Sequence, residues 1–339
     1  MRRPSGNGVG QVDVPRKALR AVSNVSSTMA KSKMSVPQAS LESSMFAFRN
    51  SAASATIRAG FITVPLVVGC GTAARLQAQQ APPQTEEQRQ AREILNKGVE
   101  DFKNGQYDAA ISEFQRAKEL NPQLLNARLY LATAYADQFI PGSPSEANQE
   151  LGRKAIEEFR SVLDIAPQNV SAIDGIGSIL FQMAGTPYNS EKLEESKSFH
   201  QKHMQIRPAD PEPYYWVAVI DWTLSFRANN ALRARHNEHA ASGQQVRDQD
   251  PLPPDVREQY LREYGSIIDE GIESLKHAIE LRPDYDDAMA YLNLLYRRKA
   301  DTVYYQDERD ELLKMAGELI DKVKEIKEKR AESSRPSGC

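Results

Sequence analysis

The residues best suited to chemistry in this chain are its five histidines, His200, His203, His236, His239 and His277. Two pairs have the spacing HxxH, which on a helix sets both rings on one face. Four imidazoles brought together could hold zinc, provided that the segment around 236–239 folds over the segment around 200–203. A plainer reading competes. His200 and His203 stand where equivalent segments of this chain carry Phe or Leu and Ala or Val, which suits helix-packing residues. No cysteine and no HxxxH site supports the metal, so none is expected. Asp174-Gly175-Ile176-Gly177 holds two glycines, but on a helical stretch rather than after a strand, so it does not read as a nucleotide loop. There is no P-loop, no serine nucleophile elbow and no HExxH. The expectation is a protein with no catalytic residues, no cofactor and no enzymatic activity.

The elements that would position these side chains recur along the sequence. A small residue, a bulky residue four places on and a proline eight places later appear four times. The copies are Ala110/Phe114/Pro122, Ala155/Phe159/Pro167, Ser196/His200/Pro208 and Gly271/Leu275/Pro283. Upstream of each lies a helical stretch with its own small residue: Gly98, Ala132, Gly177 and Ala218. Such a period describes a helical hairpin of about 34 residues, with small side chains where helices touch. One hairpin cannot bury its apolar face alone, so hairpins stack into a solenoid.

The copy at 91–124, AREILNKGVEDFKNGQYDAAISEFQRAKELNPQL, resembles the tetratricopeptide repeat (TPR) family. Gly98 takes the small site of the first helix, and Gly105 and Tyr107 mark the turn. Ala110, Ile111, Phe114, Ala117 and Leu120 face the packing side of the second helix, and Pro122 ends it. The resemblance covers roughly residues 91–300, and blocks at 211–222 and 280–297 are similar to those of exported bacterial TPR proteins. It implies an all-α, right-handed α-α superhelix of about five hairpins with a C-terminal capping helix, whose commonest role is binding proteins or peptides.

The expected organisation is a disordered leader (1–57), an apolar signal-like segment (58–76), a polar linker (77–90) and a solenoid (91–330). The units are 91–124, 125–169, 170–210, 211–285 with an insert at 223–262, and 286–330 as a partial unit plus cap. The second helix of the fourth unit is expected from about Glu263, and residues 331–339 form a disordered tail. The insert opens as a helix continuing Trp222, and DQDPLPPDV (248–256) must be a turn or extended piece, because Pro-Pro cannot sit inside a helix.

The net charge of −3 conceals an asymmetry. Residues 1–80 hold ten Lys/Arg against Asp13 and Glu42, so the rest carries −11. An acidic repeat region argues against nucleic acid as a partner, because phosphates demand basic surface. Mean hydropathy is −0.58, which excludes a polytopic membrane protein. After Arg58, the uncharged run 59–74 is shorter than the ~20 residues of a membrane span and fits a secretory signal. Val67-Val68-Gly69-Cys70 resembles a bacterial lipobox, which would make Cys70 a lipidation site and supply a membrane anchor. Met45 then serves as the working start. Cleavage near Ala78, leaving a soluble secreted protein, and an organelle transit peptide are the alternatives. Export to the periplasm, free or membrane-anchored, is the expectation.

Within the TPR resemblance, the first helices of the hairpins line a concave groove. Its positions here include Leu95 and Val99, where the carboxylate clamp of chaperone-binding relatives would need Lys and Asn. An apolar-aromatic strip of Val99, Phe102, Phe181, Tyr215 and Trp222 emerges instead. It suits an apolar peptide or helix of a protein partner. The competing reading is that the insert or the C-terminal helix covers the strip as core. Other roles to weigh are an envelope assembly factor anchored by lipid and a metal-binding or enzymatic insert.

Overall fold

The computed structural model describes residues 85–333, apart from positions 186 and 242. The leader, the signal-like segment with Cys70, most of the linker and the last six residues lie outside the described residues.

The described chain is all-α. Ten helices follow one another: α1 Glu86–Lys103, α2 Tyr107–Leu120, α3 Leu125–Gln138, α4 Glu146–Ile165 and α5 Val170–Met183, then α6 Ser190–Ile206, α7 Pro211–His239, α8 Pro254–Leu281, α9 Asp286–Ala300 and α10 Gln306–Ser333. They pair as five hairpins, α1/α2 through α9/α10, and each hairpin stacks on the next. The architecture is the expected solenoid of helical hairpins.

Local chemistry sets the helix starts. Thr85 and Gln88 form a reciprocal capping box that starts α1 inside what reads as linker sequence. Ser145, Asn169, Asn189 and Asp210 cap α4, α5, α6 and α7 with side-chain oxygens. Pro211 and Pro254 open α7 and α8, where a missing N–H costs nothing.

The four closing prolines act identically. Pro122, Pro167, Pro208 and Pro283 each follow the C-cap residue of a second helix. A residue before proline is driven out of the helical region. Asn121, Ala166, Arg207 and Arg282 accordingly sit at φ −141°, −134°, −133° and −137°. In all four cases the C-cap carbonyl accepts a hydrogen bond from the N–H three residues on, at Leu124, Asn169, Asp210 and Tyr285. This is one repeated turn with proline at its second position, so the joint between hairpins is built the same way each time.

The small residues of the pattern lie at helix contacts. Ala110, Ala132, Ala155, Ser196 and Ala218 are fully buried. A β-carbon on Gly98 would come within 2.7 Å of the Phe114 ring. Phe159 is buried between Ala132 and the third hairpin. Gly271 lies against Leu295 and Asp221. Leu275 is fully buried in the largest apolar cluster, with Ala218 and Leu295.

The insert at 223–262 is no loop. It lengthens both helices of the fourth hairpin to 29 and 28 residues. The second helix starts at Pro254, nine residues before Glu263 and inside the stretch 248–256 expected as turn or extended chain, because proline is favourable at a first helical position. The connection, 240–253, folds back on its own helices. Asn237 brackets Val246 through both side-chain amide atoms, and Arg233 donates to the carbonyls of Arg247 and Asp250. Tyr260, fully buried, donates its hydroxyl to the Ser225 carbonyl. At the C-terminus α10 packs on α9 through buried Ala316, with Leu312, Met315 and Leu319 part-buried beside it, and it continues to Ser333, three residues into the expected tail. Among the described residues, no helix is long and apolar enough to cross a membrane.

Candidate functional site

The first helices α5, α7 and α9 bring aromatic side chains together across three hairpins. Phe181 meets Trp216 edge-on, with ring centres 5.6 Å apart. Trp216 meets Tyr215 at 5.5 Å, and Tyr215 stands edge-on to Tyr291 at 5.6 Å. Tyr291 stands edge-on to Trp222 at 5.4 Å, and Trp222 stacks on Phe226 at 5.0 Å. The result is a ladder of rings from α5 to α9. Phe181, Trp216, Trp222, Phe226 and Tyr291 stay only part-buried, while Tyr215 retains 9% of its surface. Edge-on pairs of this kind contribute about 0.5–1.5 kcal/mol each beyond area burial.

Three of the five strip residues read from the sequence, Phe181, Tyr215 and Trp222, thus belong to one surface. The other two lie apart. Phe102 packs edge-on against Tyr107 in the first hairpin, and Val99 lies half-buried on the same helix. Between them and the ladder stand Thr133, Ala136 and Ser178, which carry no ring. The sequence reading missed Trp216, Phe226 and Tyr291. Trp216 and Tyr291 each stand one place beyond a groove-facing position of the template, at 215 and 290. A count of aromatics over the whole first-helix face would have found them. Phe226 lies in the lengthened part of α7, where no template position exists.

Cations and acids flank the ladder. Arg298 lies 5.8 Å from the Phe226 ring centre at one end, and Arg282 lies 4.3 Å from Tyr285 beside the middle. Tyr285 lies 5.3 Å from Tyr215 and donates its hydroxyl to Glu212, which also pairs with Arg282 at 2.8 Å. Asp286 pairs with Arg330 at 2.7 Å. Asp287 is exposed beside Tyr215 and Tyr291, and no ion pair engages it among the described residues. Desolvation by its surroundings, with the Asp286 charge adding, raises its carboxyl above the ordinary range. Burial, helped by the Asp287 charge, pushes the Tyr291 phenol up to about 12.

Behind the ladder lies a buried polar layer. His203 Nδ1 sits 2.8 Å from Asp174 Oδ1, and its Nε2 lies 3.4 Å from Asp210. Burial opposes a charge on His203, but the two carboxylates outweigh it and hold the imidazole at a pKa of about 9. His200, 1% exposed, stacks on Trp216 with ring centres 5.7 Å apart. Lys197 Nζ lies 2.6 Å from Asp221 and 2.9 Å from Glu270, which joins α6, α7 and α8. Desolvation pushes the Asp221 carboxyl up to about 7 against the pull of Lys197.

His200 and His203 are therefore buried packing residues. His200 and His203 are internal to the third hairpin, while His236 and His239 lie in the last turn of α7. His277 packs on Tyr214 at 4.5 Å. No group of three or more His, Cys, Asp or Glu side chains among the described residues has an arrangement that would hold a metal ion.

Comparison with known proteins places one unit directly. A family model described as tetratricopeptide repeat matches residues 91–124. No curated protein matches the sequence. Among solved structures the chain is similar to the MamA protein, at 16% identity and a TM-score of 0.48, over 75% of this chain and 99% of that one. It is similar to MamA from Desulfovibrio magneticus RS-1, at 16% identity and 0.45, over 72% and 97%. It is also similar to YrrB, described as a TPR protein with an unusual peptide-binding site, at 13% identity and 0.42, over 72% and 98%.

Proposed function

We propose that this chain, a tetratricopeptide-repeat protein, is a non-enzymatic interaction scaffold that binds a peptide or helical segment of a partner protein on its first-helix face. The observation that carries the reading is the ring ladder from Phe181 through Tyr215, Tyr291 and Trp222. It draws on three hairpins, it stays part-exposed, and aromatic anchors of this kind dominate the energetics of protein interfaces. Val99, half-buried, would supply a second, separate contact for a segment long enough to reach the first hairpin, where Phe102 is buried as core. Lining a groove with rings leaves charged chain termini unfavoured, because a clamp of lysines is absent from the matching positions.

A photo-crosslinker tests it. Benzoylphenylalanine in place of Ala290, exposed on α9, should give a discrete partner adduct in cells on irradiation. The same residue in place of Glu119, exposed on α2, should not. Equal adducts from both positions, or an adduct from Glu119 alone, would contradict the site. The apolar run 59–74 and the cysteine within it support a further part of the proposal: the chain is exported and held at the membrane through lipid on Cys70. Fractionation of the full chain beside Cys70→Ser decides it, because the variant should leave the membrane fraction.

A further inference from the structure

We infer that the corner formed by Tyr215, Trp222, Tyr291 and Asp287 receives a basic side chain, lysine or arginine, of the bound segment. The inference rests on the groove reading above and names the chemistry of its guest.

Three observations converge. The first is ring geometry. Tyr291 stands at 83° to Tyr215 and at 80° to Trp222, so the three rings meet edge to face rather than as a flat stack. Ring faces present negative charge density, which attracts a cation within about 6 Å of a ring centre. The second is an incomplete pattern. The protein seats its own guanidinium groups on rings that border the middle of the ladder, Arg298 by Phe226 and Arg282 over Tyr285, the neighbour of Tyr215. Over the three middle rings no Lys or Arg is seated among the described residues.

The third is the charge balance at the rim. Glu212 is engaged by Arg282 and Tyr285, and Asp286 by Arg330. Asp287 makes no ion pair of its own among the described residues, Lys327 and Arg330 acting on it only from a distance, and its charge acts on both Tyr215 and Tyr291. An exposed acid beside desolvated rings suits a guest that brings a positive charge, since the ion pair and the ring faces then act on one group. A purely apolar guest would leave Asp287 facing it without a partner, which disfavours that guest.

The test is a selection of random dodecapeptides displayed on phage against the full chain, followed by synthesis of the recovered peptides. Lys or Arg should dominate one position. Replacing an arginine there by citrulline, neutral and of the same shape, should weaken binding by about ten-fold, the scale of a charge-assisted contact on aromatic rings. Asp287→Asn and Tyr291→Leu should each reduce the affinity and erase the citrulline difference. Glu93→Gln, a remote exposed acid on α1, should leave both unchanged, which separates the corner from general attraction to an acidic protein. Asp287 is exposed, so its variant should keep the wild-type unfolding curve. Peptides that need Trp222 and Tyr291 but bind equally with citrulline would overturn this inference and leave the groove reading standing. Recovery of no binder, or of binders indifferent to Trp222 and Tyr291, would overturn both.

Discussion

His203 holds Asp174 at 2.8 Å, tying the second helix of the third hairpin to its first. Asp210, at the turn into the fourth hairpin, closes on the other ring nitrogen at 3.4 Å. One imidazolium therefore joins two helices and the joint to the next unit. Its folded pKa of about 9 stands above the ordinary histidine value, so its contribution is complete below about pH 6.5 and is lost as pH rises through 9. The carboxyls of Asp174 and Asp210 are held below their ordinary value, Asp174 by its histidine partners against strong desolvation and Asp210 chiefly by His203. Their share is present above about pH 4 and is lost as pH falls further. Unfolding free energies from urea titrations at pH 6 and pH 9.5 should differ by about 1–3 kcal/mol more for the wild type than for His203→Gln. Equal differences in the two proteins would show that His203 is not charged in the fold.

The close helix crossings should resist enlargement. Ala110 and Ala155 are fully buried at equivalent places in two hairpins. Ala110→Leu and Ala155→Leu should each cost about 1–3 kcal/mol by overpacking, read as a lowered denaturation midpoint. If both midpoints stay at the wild-type value, the equivalence of the two positions is wrong.

The lengthened fourth hairpin hangs on a buried ion pair. Arg233 and Asp301, each 4% exposed, meet at 3.1 Å, and Asn229 donates to the same carboxylate. Removing Arg233 takes a buried donor from Asp301 and leaves the carboxylate to Arg298, 3.3 Å away, at a cost of about 1–3 kcal/mol. Arg233→Met should therefore destabilise the protein and expose amides of 229–250 to hydrogen exchange. Arg233→Met with Asp301→Leu should recover much of the loss. A double variant no more stable than the single one would show that the pair is not what anchors this hairpin.

The repeat frame was legible in the sequence because it rests on local chemistry. A proline after each C-cap and a small residue at each crossing leave marks at fixed spacing, as at Ala166-Pro167 and Ala155. What escaped lacks such marks. The start of α8 at Pro254 was hidden inside a segment rich in Pro, Asp and Gln, where turn and helix signals overlap. The ring ladder was half visible. Phe181, Tyr215 and Trp222 fall on template positions, but Tyr291 joins them through the crossing of α7 and α9, which no single-helix pattern encodes. Phe102 illustrates the reverse: it holds a groove position, yet its ring partner Tyr107 belongs to its own hairpin.

The measurement closest to the central claim sets stability beside binding for Trp222→Ala. The ring stacks on Phe226 at 5.0 Å and meets Tyr291 edge-on, yet it keeps part of its surface open. If the ladder is a docking surface, the variant keeps its helical circular dichroism and a cooperative unfolding transition. Its affinity for the selected peptides should meanwhile fall by about thirty-fold or more, as expected for a lost aromatic anchor worth ~2 kcal/mol. Unchanged affinity, or a chain that unfolds at much milder denaturant and loses binding only with its fold, would contradict the account and make Trp222 part of the core.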